Sequence, residues 1–185
     1  MSALDLQGKL VRLTSFDLDY DSESMSRWER DTEYQRLLDA GPAFPNAPSS
    51  QRAFVEREVG DDFVLFAIRP LDEERAVGFV VLDGFDWHAH SAWVGIGIGE
   101  ADARGKGFGT EAMNLLVRFA FQQLNLNRIN LNVFGYNTRA IHSYENVGFV
   151  HEGTQRQFLN REGQRWDLIF MGLLREEWLA KQTAG

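Results

Sequence analysis

The 185-residue chain contains no cysteine. That excludes disulfides, a thiolate nucleophile and a zinc–thiolate site, and it suits a reducing compartment such as the cytoplasm. A run of about 20 apolar residues able to span a bilayer is also missing. Met1–Gly8 has neither the basic nor the apolar region of a secretory leader. Proline is scarce, and three of the four fall within Gly41–Pro48, which marks a break between elements. Positive charge is in short supply. Residues 1–100 carry nine Lys and Arg against nineteen Asp and Glu, a net of −10 in a chain whose total is −8. So acidic a chain is a poor nucleic-acid binder, and neither nucleic acid nor membrane is expected as a partner. Hydrophobic content of 44% over this length fits one domain, residues 1–185, with a real core.

Periodicity supplies the elements. Lys9–Thr14 alternates as a short strand, and residues 21–40 hold one or two short helices. Ser49 or Ser50 caps a helix reaching about Val59. Phe63–Ile68 is a continuous apolar run inside a strand over 61–70. Ala76–Leu82 forms the next strand, ending at Asp83-Gly84. Phe85–His90 loops out, and Ser91–Gly99 returns. The period then changes, with Ala112, Leu115, Leu116, Phe119 and Ala120 at helical spacing over Gly107–Leu124. Ile129, Leu131 and Val133 alternate. Asn137 caps a helix that stops at Gly148. Phe149–Leu159 and Arg165–Leu174 pair around a turn at 160–163, and Arg175–Lys181 closes as a short helix. The order implies an α/β (α+β) fold, a mixed, mostly antiparallel sheet of about seven strands flanked by helices.

The most informative stretch joins Gly95, Gly97 and Gly99 to Arg104-Gly105-Lys106-Gly107-Phe108-Gly109-Thr110, directly before the amphipathic helix. Alternate glycines leave one face of a strand bare, so that something can lie against its backbone. A glycine-rich turn opening a helix offers unpaired N–H groups and a positive dipole end to an anion. Here the local charge also reverses: residues 104–139 carry five basic residues against the single Glu111. Neither common nucleotide motif fits. A P-loop would need a glycine where Glu100 stands and a hydroxyl where Gly107 stands, and a dinucleotide fingerprint would need glycine at Thr110.

Arg104-Gly-Lys-Gly-Phe-Gly109 matches [QR]-x-x-G-x-[GA] and resembles the acetyl-CoA pyrophosphate loop of the GNAT acetyltransferase superfamily. Asn137-Thr-Arg-Ala140-Ile-His-Ser-Tyr144-Glu-Asn-Val-Gly148-Phe149 resembles the same family's N-x-x-A-x-x-x-Y-E-x-x-G-F signature, in the right order and separation. The resemblance covers about residues 76–174. It lies nearest the branch of ribosomal-protein N-terminal and spermidine acetyltransferases. It implies acetyl transfer from acetyl-CoA, as co-substrate, to a primary amine of a protein N-terminus, a polyamine or another small molecule. By the same resemblance, the pyrophosphate meets Arg104, Gly105, Lys106, Gly107, Phe108, Gly109 and Thr110. The pantetheine arm lies along Ile96, Gly97 and Ile98, Asn137 contacts the cofactor, and Tyr144 protonates the departing thiolate. Similar enzymes often form homodimers, although no interface is legible here.

Asn137 and Tyr144 are seven residues apart and share a helical face. Many relatives carry a glutamate as base on the glycine-face strand, but that position here is Trp93. Asp83, Glu33 and a water chain are the remaining candidates, and the sequence does not select among them. The absent glutamate also leaves open a non-catalytic acyl-CoA-binding module. Asp86, His88 and His90 lack a third ligand at recognisable spacing, so no metal is expected. His142 lies two residues before Tyr144, on a different, surface face.

Overall fold

The computed structural model describes residues 6–42, 46–58 and 62–184. The helix end expected near Val59, the strand start at 61 and part of the 41–48 break lie outside these residues. Strand β1 (Val11–Ser15) leads to helices α1 (Asp21–Trp28), α2 (Thr32–Leu38) and α3 (Pro48–Glu58). Strands β2 (Val64–Pro70), β3 (Gly78–Asp86) and β4 (Ser91–Ile98) follow. Helix α4 (Phe108–Gln122), β5 (Arg128–Phe134) and α5 (Thr138–Val147) complete the centre. A hairpin, β6 (Val150–Arg161) and β7 (Gln164–Leu174), and α6 (Arg175–Ala184) finish the chain. The seven strands form one sheet in the order β1-β2-β3-β4-β5-β7-β6. Every neighbouring pair is antiparallel except β4 and β5, the α/β arrangement expected from the order of elements.

Strand β3 runs further than its sequence suggests. Asp83-Gly84 reads as a turn, but Gly84 adopts φ +54 and the β3–β4 register shifts between Asp83 and Asp86. The glycine makes a bulge, and the strand continues beyond it. The turn itself is closed by Asp86, whose Oδ1 accepts from His88 and Ala89 N–H at 2.9 Å each. Asp86 therefore serves the backbone.

Helix α4 anchors the core. Its apolar stripe buries Ala112, Met113, Leu115, Leu116, Val117, Ala120 and Phe121 against one face of the sheet, where they meet Val80, Leu82, Ile129 and Leu131. Its first turn is tied to the start of β1. The Glu111 carboxylate accepts from Lys9, Leu10 and Val11 N–H at 2.8, 2.7 and 2.7 Å. The opposite face of β4 is covered by α1 and α2 through Trp28 and Tyr34, which meet edge-on at 6.4 Å. Among the described residues, no helix is long and apolar enough to cross a membrane. Replacing fully buried Leu116 by alanine leaves a void under the sheet. We expect Leu116→Ala to cost about 2–5 kcal/mol, measured by urea unfolding.

Candidate active site

Strands β4 and β5 pair only at Ser91–Arg128, Ala92–Ile129 and Trp93–Asn130, and then diverge. β4 stays paired to β3 as far as Ile98, so beyond Trp93 its other edge has no strand beside it. Strand alternation assigns that edge. Gly99 N–H bonds to Val77 O on the β3 side, whereas Ile98 O accepts from Arg104 on the other. The N–H and C=O groups of Val94, Ile96 and Ile98 therefore turn toward the gap. The gap is the floor of a cleft of about 690 Å³ that reaches from the glycine loop to α2 and α5.

The bare glycine face is largely filled by the protein itself. A side chain at Gly99 would collide with the Trp28 indole, and one at Gly97 would meet the Tyr34 hydroxyl and Phe79. The track expected along this face is thus narrowed to Gly95, where an added Cβ would meet only Val81 Cγ1, at 3.0 Å. Two of the three glycines exist to let α1 and α2 close on β4. The room for a ligand lies at the strand's edge.

At the end of β4, Arg104 begins the loop. Its Nε donates to Ile98 O at 3.0 Å, and its Nη2 donates to Gly99 O and to Asp31 Oδ2, both at 2.7 Å. The same guanidinium lies 5.7 Å above the Tyr34 ring. Arg104 lines the cleft, but its charge is spent on the protein, and what it offers an anion is the placement of the backbone that follows. Lys106 is exposed and stands outside the cleft wall. Gly107, at φ +85, caps α4 in a conformation a side chain would oppose. The first helical bond runs from Glu111 N–H to Gly107 O at 3.0 Å, so the N–H groups of Phe108, Gly109 and Thr110 have no carbonyl one turn back. These residues, with Gly105 and Gly107, line the cleft. The Thr110 hydroxyl bonds Ser143 Oγ at 2.7 Å, which joins α4 to α5.

Asn137 caps α5, its Oδ1 accepting from Ala140 N–H at 3.2 Å, and it also lines the cleft. Tyr144 lies on the same wall, its ring packed edge-on against Phe149 at 6.1 Å. Burial, with no hydrogen bond to offset it, pushes its phenol up to about 12. The group therefore remains a protonated donor at neutral pH. Ile96, Gly97 and Ile98 share the opposite wall, so apart from Lys106 the residues expected at the site converge on one cavity. His142 is exposed at its rim beside Glu145. Of the two carboxylates considered as base, Asp83 lines the cleft, whereas Glu33 lines a separate cavity with Arg36 and Arg161. Tyr34, Leu37, Leu38, Asn132, Arg139 and Ser143 also line the cleft and were not expected from sequence. The signal for the first three was their i, i+3, i+4 spacing, which puts them on one face of α2.

The acetyltransferase (GNAT) domain family model matches residues 11–150. The chain belongs to this family. Among its relatives, the SPbeta prophage-derived uncharacterized N-acetyltransferase YokL of Bacillus subtilis is 29% identical over 150 residues, 80% of this chain and 82% of that one. The spermidine N(1)-acetyltransferase of Vibrio cholerae is 33% identical over 109 residues, covering 58% of this chain and 61% of its own. The solved spermidine N-acetyltransferase from Vibrio cholerae in complex with CoA and spermine superposes with a TM-score of 0.83. It covers 93% of this chain and 99% of that one at 21% identity, so the GNAT fold is shared throughout.

In this GNAT site, Asp31 links α2 to the loop. Burial raises its carboxyl, but the Tyr34 N–H and the Arg104 guanidinium outweigh that and hold it below the ordinary 3.8. A carboxyl depressed by folding stabilises the protein above its unfolded pKa and loses that contribution as pH falls through its folded value. Asp31→Asn should therefore be less stable than the parent at pH 7. The deficit should shrink below pH 3.8, where the parent's own carboxyl begins to protonate. Urea midpoints across that range measure it.

Proposed function

We propose that this chain is an N-acetyltransferase that moves acetyl from acetyl-CoA to a primary amine by direct attack in a ternary complex. The observation that supports the reading most is Tyr144 on the wall of the cleft that opens where β4 and β5 part, together with a helix-opening loop whose N–H groups have no helical partner. The residues present suit acetyl-CoA. Gly105, Gly107, Phe108, Gly109 and Thr110 offer backbone N–H groups and a helix dipole to a pyrophosphate. Exposed Arg139, on the cleft wall at the start of α5, adds positive charge for the phosphates. The free β4 edge at Val94 and Ile96 fits an amide-bearing arm laid alongside it as a further strand. The relatives' names support acetyl transfer, and the CoA in the Vibrio cholerae neighbour supports this co-substrate.

Acetyl-CoA supplies an activated acyl group as its thioester. The chain's own residues do the rest. β4 edge N–H groups steady the oxyanion that forms when the amine adds to the carbonyl. Tyr144 donates its phenolic proton to the leaving sulfur, so that a neutral thiol departs. No covalent enzyme intermediate is required, consistent with a chain that lacks cysteine.

Tyr144→Phe should lower kcat by about 10²–10⁴-fold while leaving acetyl-CoA affinity, read by calorimetry, nearly unchanged. Unaltered turnover would remove Tyr144 from the chemistry. Acetyl-CoA binding without transfer across a broad amine panel would instead leave an acyl-CoA-binding module.

A further inference from the structure

The cleft opens through the sheet and has two mouths. Side chains along β4 alternate: Ile96 and Ile98 face α4, where a Cβ at Gly109 would sit 3.5 Å from Ile98 Cγ1. Trp93, Gly95 and their β3 partners Asp83 and Val81 face the other way, toward α2. One mouth therefore holds the glycine loop, and the other is bounded by Asp83, Trp93, Asn132, Leu37 and Leu38. A reaction in a ternary complex needs two such approaches to one point.

The chemistry of the second mouth is specific. Asp83 is the one carboxylate among the described residues that line the cleft. It stands directly across from Trp93 in the β3–β4 register, which puts the two side chains within about 5 Å at their Cβ atoms. The indole is held in place from two sides. Phe170 meets it edge-on at 6.3 Å, and Gly84 leaves it room, since a Cβ there would lie 3.1 Å from Trp93 Cδ1. A fixed indole face beside a carboxylate suits an ammonium group on an apolar stem. Among the described residues, no second carboxylate lines the cleft. The neighbouring cavity of about 310 Å³ holds Glu33 and Glu162 but also Arg36 and Arg161, and Arg36 pairs with Glu162 at 3.2 Å. A chain of separated ammonium groups finds no matching row of carboxylates there.

We infer, building on the acetyltransferase reading, that this mouth receives a small primary amine with a single positive charge on an apolar body, and that Asp83 binds and deprotonates it. The protons balance. The ammonium gives one to the Asp83 carboxylate, which passes it to solvent, and the neutral nitrogen lone pair forms the C–N bond. The C–S bond breaks with its electron pair on sulfur, which takes the Tyr144 proton. The addition product's second N–H proton replaces the one lost by Tyr144, and the third stays on the amide.

The test uses the full chain with acetyl-CoA and three probes: phenylethylamine, spermidine, and aniline, which is uncharged near neutrality. Phenylethylamine should exceed spermidine by tenfold or more in kcat/KM. Asp83→Asn should lower kcat/KM for phenylethylamine by about 10²-fold or more but leave aniline acetylation much less affected, since that amine has no proton to lose before attack. Asp83→Glu should recover part of the loss. Trp93→Ala should raise KM for phenylethylamine with little change in kcat, and it stands as an independent check if Asp83→Asn does not fold. A preference for spermidine, an equal Asp83→Asn loss on both aromatic amines, or an unchanged KM in Trp93→Ala overturns the inference while leaving the acetyltransferase reading intact. Transfer to none of the amines overturns that reading, and the inference with it.

Discussion

The guanidinium of Arg104 gathers three oxygens that the fold would otherwise leave apart: the last two carbonyls at the end of β4 and the Asp31 carboxylate. Much of the site's form depends on that fork. A strand that loses its neighbour halfway along exposes backbone groups, and capping the terminal carbonyls with a buried cation offsets part of that cost. The same bonds fix where the chain turns after β4, and so where α4 begins and which way its free N–H groups point. Through Asp31, which also caps α2 by accepting from Glu33 and Tyr34 N–H, they draw that helix over Gly97. Lysine would keep the charge but not the fork, and so could not serve all three acceptors at once.

Around this brace the two groups of the proposed proton transfers lie on different faces of the sheet. Tyr144, its phenol pushed up to about 12 by desolvation, lines the cleft from α5, and Asp83 lines it from β3. The parallel contact between β4 and β5 is short. After three pairs the strands part, and residues from both faces of the sheet line the opening between them.

Much of this was legible in the chain. The α4 stripe, the Asn137 cap and the Gly148 stop are local features whose periods and terminators do not depend on distant partners. For the loop, spacing set aside two nucleotide motifs, and the acetyl-CoA reading rested on its resemblance to the GNAT family. What failed was non-local. Gly97 and Gly99 looked like room for a ligand, and only the packed fold shows that Tyr34 and Trp28, more than sixty residues earlier, take that room. Arg104 looked like a phosphate ligand because nothing in the sequence announces that Asp31 and two carbonyls will claim it. Gly84 looked like the end of a strand because a bulge and a turn use the same residue. Asp83 could not be preferred over Glu33 until β3 and α2 were placed in space.

Glu111 illustrates how remote backbone can govern a binding site. It is the only acidic residue between Arg104 and Arg139, and it follows Thr110 directly in the first turn of α4. The N–H groups of Lys9, Leu10 and Val11 donate to its carboxylate, so the oxygens beside the helix-opening turn are held by the protein's own backbone. The segment before β1 thus fixes the position of an acidic side chain beside the loop proposed to hold the pyrophosphate. Displacing residues 9–11 would release that carboxylate to turn toward the first turn of α4. On the proposed reading, changes at this end of the chain reach the cofactor loop as well as the fold.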